Sequence, residues 1–227
     1  MSYSIIGNIL LIVSILITII AQALISIRYK KYSEVLNHKG LSGVEVAQEI
    51  LKRNGLDNVY VVETKGYLSD HYDPGQNVIR LSSDVFHGKS ISSAAIAAHE
   101  VGHAIQHKEG NAFINIRRFI MPIVNISSKF GYIAIILGLV LGLIKLFYLG
   151  IIMLFAILFF QLVTLPVEFD ASRRGLKNLN NYHILSKDEQ EGARKVLFAA
   201  ALTYVAGLIT TVFEVFRIIL IFLGDRD

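Results

Sequence analysis

Long apolar stretches dominate the hydrophobic pattern of this chain of 227 residues. The first covers residues 5–27 without a charge and would reach about 34 Å as a helix, enough to cross a bilayer. A second block, residues 119–167, is too long for one span and has the length of a hairpin of two. The last covers residues 196–223. The pattern predicts about four transmembrane helices.

The two halves of residues 119–167 must be joined by a turn. Lys145, Tyr148 and Gly150 are expected to form the turn, with Lys145 reaching toward the headgroups.

A cleavable signal peptide is the alternative for the first span, because Ala21-Gln22-Ala23 is similar to a cleavage site. However, positive charges follow the apolar run instead of preceding it, and the run continues past that site. We therefore expect an uncleaved anchor.

The composition and the charge distribution support a membrane protein. Hydrophobic residues make up 53% of the chain and its mean hydropathy is +0.53, more apolar than an ordinary soluble domain. Most of the 22 Lys and Arg residues follow the first span, precede the second, or lie between the third and fourth. The positive-inside rule therefore predicts that these loops are cytoplasmic and that both termini are outside.

The same distribution limits the partners. The pI of about 9.2 is explained by topology and anionic lipid, so the bilayer is an expected partner. Nucleic acid is not expected, because no basic stripe interleaves with aromatic residues. The chain has no cysteine, which excludes disulfide and thiol chemistry and suits loops on the cytoplasmic side.

Residues 28–118, between the first two apolar blocks, have the patterning of a small α/β cytoplasmic domain. A capping box of Ser42 and Glu45 predicts the start of an amphipathic helix, which Gly55 should end. The segment 59–63 has the alternation of a strand.

A turn at Asp73-Pro74-Gly75 and a second strand over residues 77–81 are predicted next. Ser92 or Ser93 is expected to cap the following helix, which Gly110 should end. The strand before this helix is a candidate edge on which a peptide could be held as an added strand, and a plain sheet strand is the structural alternative.

That helix carries the strongest chemical signal of the chain, His99-Glu100-Val101-Gly102-His103. Two histidines four residues apart lie on one helix face, so both imidazoles can bind one zinc ion. Glu100 lies about 100° away around the helix and can take a proton from a zinc-bound water. Small and apolar neighbours predict a buried helix, which argues against a chance occurrence of the motif.

A catalytic zinc needs a third protein ligand and an open position. His107 shares the helix face of His99, but eight residues of helix separate the two by about 12 Å. Zinc–nitrogen bonds are about 2.0 Å long, so His107 is excluded as a ligand and is interpreted as a second-shell or interfacial residue.

The segment after the third span offers carboxylates instead, in residues 166–174. A hairpin of spans two and three would return this segment to the cytoplasmic side, where the metal helix lies. Glu168 is our choice of third ligand and Asp170 the second choice, because carboxylates at an apolar span end are costly unless paired or bound to metal. The structural alternative is an interfacial salt bridge with Arg173 or Arg174.

Four segments carry a resemblance to a known family: HEVGHAIQH, the preceding HYDPGQNVIRLSSDVF, LPVEFDASRRG, and ARKVLFAAALTYVAG in the last span. Together they resemble the bacterial membrane-bound neutral zinc metallopeptidases of the YugP type, over nearly the whole chain. The resemblance implies an integral membrane protein with zinc peptidase activity. The natural substrate of this family is poorly defined.

More distantly, the chain resembles the membrane heat-shock metalloproteases and the CAAX prenyl endopeptidases. Their third ligand is the glutamate of E-x-x-A-D, which corresponds by position to Glu168, with Ala171 as the alanine. Where those relatives have an aspartate that orients a metal histidine, this chain has Ser172. Either Asp170 or Ser172 is expected to take that second-shell role.

The sequence therefore predicts an α-helical integral membrane protein of about four transmembrane helices, with a cytoplasmic metallopeptidase domain of the gluzincin type. One Zn²⁺ per chain is expected, held by His99, His103 and Glu168, in a cell-membrane protein with its active site on the cytoplasmic side. Residues 168–195 form the second cytoplasmic segment, which carries the third ligand. The expected reaction is hydrolysis of a peptide or membrane-protein substrate by a zinc-bound water that Glu100 activates.

Two other functions and one residue assignment stay open. The alternatives are a catalytically silent membrane scaffold or regulatory protein with a zinc site, and a transporter-like protein. The scaffold is disfavoured because a structural zinc site usually has four ligands rich in cysteine, and this chain has no cysteine. The transporter is disfavoured because the only strong polar cluster lies outside the four spans. The candidates for the residue that stabilises the oxyanion are Tyr67, His71, Tyr182, His183 and Tyr204, although a structural role is the better interpretation of each one alone.

Overall fold

The structure of the protein is a computed structural model that describes residues 3–224. The ends on which the prediction of outside termini falls, residues 1–2 and 225–227, lie outside the described residues. The elements in chain order are α1 (Tyr3–Ser33), α2 (Gly43–Arg53), β1 (Tyr60–Thr64), β2 (His71–Asp73), β3 (Val78–Ser82), α3 (Ser83–Phe86), α4 (Ile91–Lys108), α5 (Ala112–Val140), α6 (Ile144–Asn181) and α7 (Lys187–Gly224).

Four of these helices, α1, α5, α6 and α7, are long and apolar enough to cross a membrane. This confirms the prediction of about four apolar helices in a mostly helical protein. The helices also extend beyond the apolar blocks: α6 continues through residues 168–181 without interruption. The candidate third ligand therefore lies within a helix.

The turn between α5 and α6 was predicted at the wrong place. Val140 ends α5 and Ile144 begins α6, so Lys145, Tyr148 and Gly150 lie inside a helix. Gly142 makes the turn with a φ of +66°, a conformation in which glycine has no Cβ penalty. Gly150 instead permits close packing, because a Cβ there would lie 2.8 Å from the backbone oxygen of Gly131.

The chain forms two compact units. The first, here called the helical unit, comprises residues 1–22, 115–165 and 202–227. The second, here called the mixed unit, comprises residues 23–114 and 166–201 and contains the sheet, α2, α3 and α4. Every candidate zinc ligand belongs to the mixed unit.

The mixed unit contains a three-stranded sheet in the order β1-β3-β2. β3 runs parallel to β1 and antiparallel to β2. The β2–β3 hairpin turns where predicted, with Asp73 Oδ1 accepting a hydrogen bond from the Gly75 N–H at 2.9 Å. The sequence pattern did not reveal β2. The prediction that β3 is a substrate edge was wrong, because β3 is the central strand and β1 and β2 are the two edge strands.

The helix boundaries of the mixed unit show one success and one error. The Glu45 carboxylate accepts hydrogen bonds from the Ser42 N–H and hydroxyl, both 2.7 Å, as the capping box predicts. The cap of α4 is Ser90, whose hydroxyl oxygen accepts from the Ser93 N–H at 3.1 Å. Ser92 and Ser93 lie inside the helix, and the Ser92 hydroxyl donates to the Tyr29 backbone oxygen at 3.0 Å.

The core of the mixed unit forms where α2, α4 and β3 face the ends of α6 and α7. Its fully buried apolar side chains include Ile50, Ile79, Leu81, Val101 and Leu179. Burial of such side chains contributes about 1.5–3 kcal/mol each. This core fixes one side of α4, so the histidines of α4 are presented from a rigid element.

Candidate metal centre

The two helices that carry the candidate ligands, α4 and α6, touch through their backbones. A Cβ at Gly102 would lie 2.5 Å from the backbone oxygen of Ala171. A Cβ at Gly175 would lie 3.0 Å from the backbone of Ala98. Because both glycines lack a side chain, α6 approaches close enough for Glu168 to reach the histidines on α4.

His99, His103 and Glu168 form a group of potential ligands whose donor atoms all lie within 4.8 Å of one another. Glu168 Oε2 lies 3.3 Å from His99 Nε2 and 3.5 Å from His103 Nε2. The Glu168 side chain is only 2% exposed. A buried carboxylate is stable when it is paired or bound to a metal, so this group can hold a metal ion.

The two distances from Glu168 Oε2 to the histidine nitrogens fit zinc. Tetrahedral bonds of about 2.0–2.1 Å place neighbouring ligand atoms about 3.3–3.4 Å apart, close to both measured separations. Hydrogen bonds between nitrogen and oxygen are shorter, at about 2.7–3.2 Å. Two imidazoles and one carboxylate are also the donor set of a catalytic zinc site, which leaves a fourth position open.

Each histidine has a partner at its second ring nitrogen. Ser172 Oγ lies 3.1 Å from His99 Nδ1, and Gln106 Oε1 lies 3.1 Å from His103 Nδ1. Partners at Nδ1 orient the ring and leave Nε2 for a metal. Of the three residues predicted as possible second-shell groups, Ser172 makes this direct contact with a candidate ligand.

Asp170 and His107, the other two, are placed differently. Asp170 Oδ2 accepts hydrogen bonds from Gln106 Nε2 at 2.8 Å and Arg174 Nε at 2.6 Å, and its other oxygen pairs with Arg173. Asp170 is therefore linked to His103, but not to His99, through Gln106. His107 Nδ1 lies 3.0 Å from the Tyr72 hydroxyl, so it connects α4 to the edge strand β2.

Glu100 is buried beside the candidate ligands, with 6% of its surface exposed. Burial raises the pKa of its carboxyl to about 7, and the charges of Glu168 and Asp70 add to this rise. The electrostatic interaction with His99 and a backbone hydrogen bond from Tyr72 in β2 oppose this rise. A carboxylate with a pKa near neutrality is suited to accept and return a proton.

Sequence reasoning missed two residues of this site. Gln106 is fully buried, and its only sequence signal is a polar residue on an otherwise small and apolar helix. Asp70 lies in the loop before β2 and accepts hydrogen bonds from the Ser82 N–H, at 2.8 Å, and from the Ser82 hydroxyl. Burial raises the pKa of Asp70. Nothing in the local sequence distinguishes it from a loop aspartate.

Tyr67 and Tyr182, two of the five candidate oxyanion donors, make structural contacts. Tyr67 packs edge-on against Tyr29 with ring centroids 5.3 Å apart. The Tyr182 hydroxyl accepts a hydrogen bond from Asn54 Nδ2 at 3.3 Å, and the Tyr182 ring lies under Arg53. The choice among the five candidates stays open.

Four apolar helices and a His-His-Glu group on two packed helices fit the class of a membrane protein with the ligand set of a zinc peptidase. Comparison of the chain with protein families agrees. The chain belongs to the family described as "Putative neutral zinc metallopeptidase", whose model matches residues 8–223. This confirms the resemblance inferred from its motifs.

A curated relative supports the same conclusion. The chain is 44% identical over 207 residues to "Putative membrane protease YugP" of Bacillus subtilis (strain 168). The matched segment covers 91% of this chain and 92% of that protein. No solved structure matches the chain.

Proposed function

We propose that this protein is an integral membrane zinc endopeptidase of the gluzincin type. His99, His103 and Glu168 hold one zinc ion, and Glu100 is the general base. The observation that carries this proposal is the convergence of both Nε2 atoms on a buried carboxylate at tetrahedral ligand spacing. The family and the relative add independent support.

The residues of the chain divide the reaction between binding and proton transfer. A bound zinc ion supplies a Lewis acid and lowers the pKa of water toward neutrality. Glu100 accepts the proton of the attacking water on its carboxylate and later donates it to the leaving amide nitrogen. The burial that raises the pKa of Glu100 favours the protonated form that this second step requires.

The substrate is a peptide or membrane protein in extended conformation, held along β2. β2 is an edge strand of the sheet, and its residue Tyr72 interacts through its backbone with Glu100. An extended peptide can pair with such an edge through its main chain. This assignment replaces β3, which lies in the centre of the sheet.

The active site lies on the cytoplasmic side of the cell membrane, and both termini lie outside. The support is the positive charge after the first span and between the third and fourth. Because the chain has no cysteine, single cysteines report topology without background. Lys39→Cys should react only in opened cells, while epitope tags at both termini should be accessible in intact cells. The reverse pattern would place the active site outside.

The reaction is tested by Glu100→Gln in detergent-purified protein. Glutamine keeps the shape of the side chain but accepts no proton, so hydrolysis of an unfolded test protein should fall by about 10²–10⁴-fold. Zinc content should stay near one per chain, because the ligands are unchanged. Wild-type turnover by this variant would refute the mechanism, and zinc binding without hydrolysis by the wild-type protein would favour a silent scaffold.

A further inference from the structure

Gln106, on the metal-binding helix, is buried without any exposed surface and all of its polar atoms have partners. Its Nε2 donates hydrogen bonds to the Val167 backbone oxygen at 2.9 Å and to Asp170 Oδ2 at 2.8 Å. Its Oε1 lies 3.1 Å from His103 Nδ1. One amide thus contacts the backbone of α6, a carboxylate of α6 and a candidate zinc ligand of α4.

The orientation of this amide follows from the chemistry of its partners. A backbone carbonyl and a carboxylate paired with arginines only accept hydrogen bonds, so the NH₂ of Gln106 must face Val167 and Asp170. The amide oxygen then faces His103 and accepts from it. His103 must therefore carry its proton on Nδ1, which leaves the lone pair of Nε2 toward Glu168 and the metal.

His99, the other candidate ligand on α4, is not restricted to one tautomer by its partner. His99 Nδ1 contacts the Ser172 hydroxyl, which can donate or accept a hydrogen bond. Ser172 orients the His99 ring but is compatible with either neutral tautomer. The two candidate ligands thus differ: His103 is fixed in one state, and His99 is adjustable.

Ion pairs hold the far end of this network. Arg174 binds Asp170 through Nε at 2.6 Å and Glu109 through Nη1 at 2.7 Å, and Arg173 also pairs with Asp170. Glu109 follows the last residue of α4, so these contacts tie the end of α4 to α6. The position of Asp170, and through it that of Gln106, is set by both helices.

We propose that Gln106 is a positioning residue of the metal centre: it selects the metal-binding tautomer of His103 and couples that ring to α6 through Asp170. The proposal rests on the proposed function, because it requires that His103 bind zinc. It goes beyond that function by assigning a role to a residue that contacts neither zinc nor substrate.

Zinc affinity, measured by competition with a chromophoric chelator in detergent, tests this role. Gln106→Met keeps the volume but removes the acceptor, and it should weaken zinc binding about 10–100-fold, as loss of an outer-shell partner typically does. Gln48→Met makes the same change at an exposed glutamine of α2 and should leave the affinity unchanged.

Gln106→Glu separates positioning from packing. It retains an acceptor for His103 but places a carboxylate against Val167 and Asp170, so zinc binding should weaken. Adding Asp170→Asn supplies a donor at position 170 and should restore part of the lost affinity. A residue that only fills space would not show this rescue. The rescue also decides the question if Gln106→Met does not fold.

The outcomes separate this inference from the proposed function. If the wild-type protein binds no zinc, the proposed metal site itself fails. If it binds one zinc per chain and Gln106→Met binds equally well, only the positioning role is wrong. Additive weakening by Gln106→Glu and Asp170→Asn would equally contradict the coupling.

Discussion

The helical unit exposes large apolar side chains of the kind that the mixed unit buries. In the mixed unit, Ile50 and Ile79 are fully buried. In the helical unit, large side chains such as Ile126 and Ile152 are more than half exposed, and small residues such as Ser127 are buried between helices. Contiguous apolar surfaces of this kind are rare on soluble proteins. The difference indicates that the surroundings of the helical unit are lipid.

Zinc binding is the change that should produce the largest difference in stability between the mixed unit and the helical unit. All candidate ligands lie in the mixed unit, and zinc at about a thousand times its Kd adds about 4.1 kcal/mol of stability. Amide hydrogen exchange should therefore slow strongly in α4 on zinc loading and little in the middle of α5. Exchange measured on metal-free and zinc-loaded protein checks this, and equal slowing in both helices would break the distinction.

A charge on the exposed surface should distinguish the surroundings of the units. Ile126 and Leu36 are both well exposed, the first in the middle of α5 and the second in the mixed unit. Ile126→Lys should cost about 2.5–3.5 kcal/mol of membrane insertion, as lysine does at a helix centre. Leu36→Lys should change stability by less than about 0.5 kcal/mol.

The readout for this pair is the fraction of each variant recovered in the membrane. Equal recovery of Ile126→Lys and Leu36→Lys would show that the exposed face of α5 is not in contact with lipid.

A smaller effect is expected from the glycine at the crossing of α4 and α6. Gly102→Ala places a methyl group 2.5 Å from the Ala171 backbone oxygen, a clash that should cost about 1–3 kcal/mol and weaken zinc binding. Gly207→Ala in α7 is the matched control, because the nearest atom outside its own stretch of helix, Gln161 Nε2, would lie 3.8 Å from the added Cβ. Thermal unfolding in detergent compares them. Equal melting temperatures would show that α6 moves to accommodate a side chain at position 102.

The features that sequence could predict are those carried by periodicity and by local chemistry. The four apolar helices, the capping box at Ser42 and the turn at Asp73 were all predicted. The errors have local causes. β2 has three residues, too few for a visible alternation. The group Lys145, Tyr148 and Gly150 has the composition of a turn at a membrane boundary, although Gly142 makes the turn.

The site divides in the same way. The helical spacing of His99 and His103 is a local property, so the sequence predicts it directly. The contact of Glu168 with both histidines, and that of Gln106 with Asp170, depend on the crossing of α4 and α6. No spacing along the chain encodes that crossing. Glu168 was preferred to Asp170 among the carboxylates at the apolar span end, and the resemblance to known families agreed with that preference.

Zinc content of three purified variants tests the central claim, that His99, His103 and Glu168 hold the metal. Glu168→Ala should lose most of the bound zinc, because it removes the buried carboxylate that faces both histidines. His107→Ala should keep the metal, since its partner is Tyr72. Asp170→Ala should fall between them, because it removes the support of Gln106. Normal zinc binding by Glu168→Ala together with loss in Asp170→Ala would contradict the account.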